Sequence, residues 1–503
     1  MSHETSELGP LLEVIPYCNY EQFARWRCGG ESPTYQLLRA PLNLGELNAE
    51  DDCLAIWRDN STLTYVTPYG VTGFPSFGII DLSLEFTPYG PKLYIVGRTE
   101  KAIAETAAFF LSLAGQREAD LDLVIASRSS FDFRLVGSQG LNYLYATTSS
   151  RNLTLRYLTL SAEQSIFLAT RPHPMQVTVQ FCNFEDQGTA FVDALASRKT
   201  SFGSLAYRLP YHDDKPFADD IMRRLLQVDT IKELNLSCLQ DELALLPFSA
   251  RVEYLDYEID TSSLLEADLQ CLEIVTKKLS LSIYHDFDEN FPTELLGGFF
   301  QRVATLGHFV ELKVAIHGRV DFDIPHCFVR GIIRAAHANH SLRLLDLCDE
   351  DEDLDWDPHV KTLLHQRKDH KELQTLRLNG SKGAFGPDFS HLQQFLSHKR
   401  NVTVTDGKGR IHTNYSSVDK LYALNRFYRG SAKLAKVPGR PILLVNALMN
   451  SAWNDFQRIA LLLTNHSDVV HDFVQKVLLE EDHESINSSQ STENNEPKRR
   501  RLV

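Results

Sequence analysis

Two sets of side chains have the types that chemistry needs. His285 is followed by Asp286 and Asp288, and His212 by Asp213 and Asp214. Imidazole beside carboxylate is the pairing used for acid–base work or for holding a metal ion. Successive side chains leave the backbone in different directions, however, so neither set converges on one point by itself. Both read as exposed turn residues that follow strands. The acidic run Asp349–Asp353, with Asp346, Asp355 and Asp357 close by, has the charge to attract calcium or a basic partner. It lacks the D-x-D-x-D-G spacing and the closing glutamate of a calcium loop, and reads as a solvated acidic loop able to steer a basic segment.

Other catalytic handles are absent. The sequence contains no G-x-x-x-x-G-K-[ST] phosphate loop, no G-x-G-x-x-G and no G-x-S-x-G, which removes the usual means of nucleotide hydrolysis, dinucleotide binding and serine catalysis. Eight cysteines (Cys18, Cys28, Cys53, Cys182, Cys238, Cys271, Cys327, Cys348) are scattered with no C-x-x-C pair, as expected of reduced, mostly packed thiols rather than a zinc site or a disulfide framework. The expectation is a chain that is not an enzyme and has no cofactor or metal.

The chain has 503 residues, a formal net charge of -15, 43% hydrophobic and 23% charged residues. Such a composition folds, and such a charge repels a phosphate backbone, so no nucleic-acid partner is expected. Met1 to Pro10 lack the basic and apolar regions of a secretory signal, which points to an intracellular protein, nuclear or cytoplasmic. Triplets such as Asn60 to Thr62 and Asn401 to Thr403 then carry no glycan. The most apolar stretch, Ile442 to Leu463, is broken by Asn446, Asn450, Asn454, Asp455 and Arg458, too polar to face lipid, so no membrane association is expected.

The elements that must carry any site show a degenerate internal period. Short apolar-x-apolar segments recur as VTVQ (177–180), LAYR (205–208), LNLS (234–237), LDYE (255–258), LSLS (279–282), LKVA (312–315), LDLC (345–348) and LRLN (376–379). Alternation of this kind suits a strand with one buried face. Six of them carry an apolar residue three positions earlier, at Phe202, Ile231, Val252, Phe309, Leu342 and Leu373, which completes L-x-x-L-x-L. Between the strands the period becomes helical. Ser161 and Gln164 form a capping-box pattern, and one-face stripes occur at Phe217, Ile221 and Leu225; at Leu295, Phe299, Val303 and Leu306; at Phe328, Ile332 and Ala336; and at Leu392, Phe395 and Leu396.

These L-x-x-L-x-L strands with intervening helices resemble the ribonuclease-inhibitor-like leucine-rich-repeat superfamily, over roughly half the chain. The Asn or Cys that closes the strand segment in that family is found at few units, Asn379 and Cys182 among them. The resemblance implies an α/β solenoid with parallel strands on its concave face, helices on its convex face and a helical C-terminal cap. Polar residues alternating with the buried column would line the concave face and bind a protein: Thr178, Gln180, Arg208, Asn235, Ser237, Asp256, Glu258, Ser280, Ser282, Lys313, Asp346, Arg377 and Asn379. The expected function is a non-catalytic interaction scaffold whose partner the sequence does not name. Two alternatives come with the superfamily, an F-box-type substrate receptor of a cullin ubiquitin ligase and a GTPase regulator.

Four regions follow. Residues 1–150 are strand-rich, with pieces at Leu63–Val66, Ile79–Phe86, Leu93–Val96 and Leu121–Ile125 and a helix near Lys101–Leu113; they read as divergent repeats and an N-terminal cap, or else as a separate β-rich domain. Residues 151–406 hold the array. Residues 407–479 are helical, with Ser417 capping a helix from Val418 to Arg429, a second helix from Asn446 to Leu463, and a third after Ser467. Residues 480–503 read as a disordered tail ending in Pro497, Lys498, Arg499, Arg500 and Arg501, a basic cluster suited to the acidic groove of a nuclear import receptor.

Overall fold

The computed structural model describes residues 10–15, 34–47, 54–67, 81–87, 90–113, 122–144, 152–208, 217–265, 268–285, 293–317, 325–348, 355–366, 372–434, 440–451, 456–472 and 474–475. The chain divides into two compact units, Met1–Phe322 and Asp323–Val503. Both are α/β, with strands and helices alternating along the chain.

The first unit begins with β1 (Leu12–Val14), β2 (Thr34–Leu37), β3 (Leu54–Arg58), β4 (Thr62–Thr67), β5 (Asp81–Thr87) and β6 (Lys92–Gly97), followed by helix α1 (Glu100–Leu113) and β7 (Asp122–Asp132). Pairing here is mostly antiparallel, β3 with β4, β4 with β6, β6 with β5 and β5 with β7. One face of these strands packs on α1, whose Ile103, Ala104, Ala107, Phe110 and Leu111 are buried. Asn60, in the β3–β4 turn, donates its amide to Ala102 O (3.0 Å) and Thr106 Oγ1 (2.9 Å) of that helix. The side chain of this N-x-T triplet thus ties the turn to the helix.

From β7 onward the pairing is parallel. The run continues with β8 (Asn152–Leu160), α2 (Ala162–Thr170), β9 (Met175–Gln180), the two-residue β10 (Asn183–Phe184), α3 (Thr189–Ala196), β11 (Gly203–Arg208), α4 (Asp219–Leu225), β12 (Ile231–Leu236), β13 (Tyr254–Asp260), α5 (Thr261–Leu265), β14 (Lys278–Tyr284), α6 (Thr293–Leu306) and β15 (Glu311–His317). The ladder is in step. Val177, Leu205, Leu234, Leu255, Leu279 and Leu312 are Cα partners from one strand to the next, and all are buried. Each side chain therefore stacks on its counterpart in the next strand, and the helices close the other side of that core. The capping box of Ser161 and Gln164 is formed in both directions at 3.0 and 3.1 Å.

Two expected details move. The buried stripe of α6 is Leu296, Phe299, Phe300 and Val303, whereas Leu295 and Leu306 are only half-buried; with 3.6 residues per turn, adjacent apolar pairs leave the register ambiguous by one position. Between β12 and β13 the connection holds no α-helix and is built from two 3-10 turns, Asp241–Leu243 and Leu246–Ser249, which pack Leu243 and Phe248 in a helix's place.

The second unit comprises α7 (His326–Ala338), β16 (Leu344–Asp346), α8 (Asp357–Gln366), β17 (Thr375–Arg377), α9 (Ser390–His398), β18 (Thr403–Thr405), α10 (Ser417–Leu434), α11 (Arg440–Ser451) and α12 (Phe456–Asn465). Leu345, Leu376 and Val404 form its buried column of Cα partners. The cap of α10 is Asn414, not Ser417: its Oδ1 accepts from the Ser416 and Val418 N–H groups, both at 3.1 Å, and its Nδ2 donates to Ser417 Oγ. An asparagine three residues upstream outcompetes the serine because its carbonyl reaches two free N–H groups at once. The helix expected from Asn446 to Leu463 falls on α11 and α12, with residues 452–455 between them outside the described set.

Candidate interaction face

All eight apolar-x-apolar segments begin on observed strands, although LNLS leaves its strand at Ser237 and LDLC and LRLN keep only their first two residues on theirs. On β13, burial alternates residue by residue: Leu255, Tyr257 and Ile259 are buried while Tyr254, Asp256, Glu258 and Asp260 are half-buried. The core face is thereby separated from a polar face, which the ladder register orders into rows. Thr178, Ala206, Asn235, Asp256, Ser280 and Lys313 are successive partners. Two residues further along, Gln180 pairs with Arg208, and Glu258 with Ser282. Ser237 lies between those pairs and donates its N–H to Tyr207 O at 3.1 Å. Ten of the thirteen candidate residues therefore occupy one face of the first unit.

Neighbouring side chains on that face bond across strands where they reach. Asn235 Nδ2 donates to Asp256 Oδ2 at 2.8 Å, and Arg156 Nε to Gln180 Oε1 at 2.8 Å. Lys278 pairs with Glu311 at 2.9 Å, which raises the lysine pKa above its ordinary value. Glu258 is different. Burial pushes its carboxyl up, with Asp256 adding to the shift and Arg208 and His317 opposing it. Burial and the nearby Asp256 also push the Tyr254 hydroxyl up to about 12.

The other candidates sit in the second unit and are engaged internally. Asp346 is buried; it accepts from Arg377 Nη1 at 3.1 Å and from the Cys348 N–H at 3.1 Å. Asn379 Oδ1 accepts from the Gly407 N–H at 3.0 Å, joining consecutive strand ends. Asp357 likewise receives the Ser381 N–H at 2.7 Å, and Asp355 caps Asp357 at 2.9 Å.

The histidine sets do not assemble a reactive group within the described residues. His285 is buried, with Nδ1 3.2 Å from Thr261 Oγ1, while Asp286, Asp288, His212, Asp213 and Asp214 lie outside the described residues, as do Asp349–Asp353 and Pro497–Arg501. Among the described residues no His/Cys/Asp/Glu group is placed to hold a metal. Cys182 and Cys348 are buried free thiols pushed up to about 12, chiefly by burial, which leaves them protonated and unreactive near neutral pH. No described helix is long and apolar enough to cross a membrane.

Sequence reasoning left out the flanks of the face. Thr154 and Arg156 on β8 extend both rows as partners of Thr178 and Gln180, and the LTLR pattern at 153–156 carries the same signal. A further row, Gln176, Ser204, Glu233, Tyr254, Lys278 and Glu311, precedes the first buried leucine of each strand; continuing the alternation one step backward finds it. No family model matches the chain, and no curated protein is similar enough to count as a relative.

Proposed function

We propose that this chain is a leucine-rich-repeat-like solenoid acting as a non-catalytic scaffold, and that it binds another protein on the polar face of β8–β15. The observation that carries the reading is the register: one set of alternate residues forms the continuous core column, and the other is held in ordered rows on the opposite side of the same strands. A rigid sheet positions such side chains with little entropy left to lose on binding. The mixture of serine, threonine, amide and charge suits a wet, charge-complementary protein interface better than an apolar ligand site.

The test is affinity purification with mass spectrometry, comparing the intact chain with one carrying Asp256→Lys, Glu258→Lys and Lys313→Glu. Circular dichroism establishes that the variant is folded. Partners lost with the reversals support the reading, and an unchanged partner list refutes it.

A further inference from the structure

We infer that the partner segment docking on this face carries an acidic, a basic and again an acidic side chain in a line crossing the strands, matched to Arg208, Glu258 and Lys313. This rests on the proposed function and specifies the chemistry its partner must have.

Three features support it. The first is pairing. Lys278 with Glu311 and Asn235 with Asp256 show that complementary groups on adjacent strands bond to each other on this face. Arg208, Glu258 and Lys313 make no side-chain hydrogen bond or ion pair with any described residue. The second is spacing. They stand on β11, β13 and β15, with small residues between them: Ser237 between Arg208 and Glu258, and the half-buried Ser282 and fully buried Ser280 between Glu258 and Lys313. Arg208 acts on Glu258 only across the intervening strand and without bonding to it, and the small side chains leave room for a chain to lie between them.

The third is cost. Arg208 and His317 favour the Glu258 carboxylate from across the face, but burial outweighs them and has raised its pKa. A basic group arriving from outside would relieve that penalty, and the flanking Arg208 and Lys313 would then select acidic neighbours on the same segment. A polyanion such as nucleic acid would satisfy the two cations but place phosphates against Glu258, Asp256 and Glu233.

The geometry sets the spacing of the partner's charges. Strands lie about 4.8 Å apart, so two strands span about 10 Å, close to three residues of a polyproline-II segment at about 3.1 Å each, whose three residues per turn return every third side chain to the same side. Lys313 lies one row lower than Glu258, which lengthens the second step to three or four residues. The segment therefore reads acidic-x-x-basic, then two or three residues, then acidic.

The experiment is selection of displayed random 12-residue peptides on the full-length chain at low salt, repeated on Glu258→Lys and on the Arg208→Glu/Lys313→Glu double variant. Glu258→Gln serves as a variant that keeps size and fold. Wild type should enrich the acidic–basic–acidic pattern. Glu258→Lys should enrich an acidic centre, the double variant basic flanks, and Glu258→Gln should bind the wild-type peptides about tenfold more weakly, the change expected for one lost charge pair. Peptides that lack the pattern yet lose binding on the variants overturn this inference and leave the docking face standing. Peptides that bind every variant equally, or no enrichment at all, overturn both.

Discussion

Truncating β13 to alanine one residue at a time tests whether the strand has the two faces described for it. Leu255 is fully buried between its partners Leu234 and Leu279, so Leu255→Ala removes buried methyl groups and leaves a cavity, at a cost of about 2–5 kcal/mol. Ile259 is equally buried and belongs in the same range. Tyr257 is buried too, and its hydroxyl donates to Ala244 O at 2.6 Å; Tyr257→Phe alone should cost about 1–3 kcal/mol by leaving that carbonyl unsatisfied. Between these positions the expectation reverses. Asp256→Ala loses one partly exposed hydrogen bond to Asn235, about 1 kcal/mol, and Glu258→Ala loses no bond to any described residue. The assay is urea denaturation of the full chain. With a slope of roughly 3 kcal/mol per molar, the core substitutions shift the midpoint of the first unit's transition by about 1 M and the polar-face substitutions by a third of that or less. Similar midpoint shifts at Leu255 and Asp256, or a larger one at Glu258 than at Ile259, would refute the two-faced strand. Leu234→Ala and Leu376→Ala extend the same test to β12 and to the second unit.

Three further outcomes follow from the electrostatics. Because the folded pKa of Glu258 is raised, its protonated form favours the fold, and that stability is present at acid pH and lost as pH rises through the ordinary carboxylate range into the raised one; Glu258→Gln should match wild type at pH 4 and melt at the same or a higher temperature at pH 7. His412 is shifted down, mainly by burial, so its neutral form favours the fold: the second unit is fully stabilised above the ordinary histidine pKa and loses stability as pH falls below it, and His412→Gln should flatten that loss in thermal melts between pH 7 and pH 5. In native alkylation read by peptide mass spectrometry, Cys327 and Cys271 should be modified first among the described cysteines, since both are exposed, with Cys271 the slower because its bond to Asp268 raises its pKa; Cys182 and Cys348 should react only on unfolding, and early labelling of either would contradict their burial.

Much of the strand framework was legible in the sequence because a single alternation encodes both strand position and burial. Once Leu234, Leu255 and Leu279 are seen as equivalents, their pairing and the polar row beside them follow. Helix faces were harder to read: α6 carries apolar residues in adjacent pairs, and only the packing against Phe248 chooses Phe299 and its neighbours. The antiparallel pairing of β3 to β7 left no trace in local pattern, because alternation is the same in both directions and only the partner decides. In the candidate face, residue identities were visible but their mutual satisfaction was not. Nothing in the spacing of Asp346 and Arg377 says that they bond to each other, whereas Glu258 and Lys313, of similar types, do not.

The change from antiparallel to parallel pairing at β7 also bears on how the chain acquires its structure. Strand β7 bonds backward to β5 and forward to β8, and each parallel strand after it bonds to others close to it in sequence. Loop closures of this size are cheap, and their length does not grow as strands are added, so contact order stays low for so long a chain. During synthesis β3 to β7 can close on α1 as soon as they leave the ribosome, and each later strand then finds a finished edge waiting for it. Destabilising β7 should therefore slow folding of everything downstream in the first unit, whereas an equal lesion in β15 should mainly speed unfolding; stopped-flow refolding of matched valine or alanine substitutions at Ile125 and Val314 separates the two, and equal effects on the folding rate would exclude growth from β7.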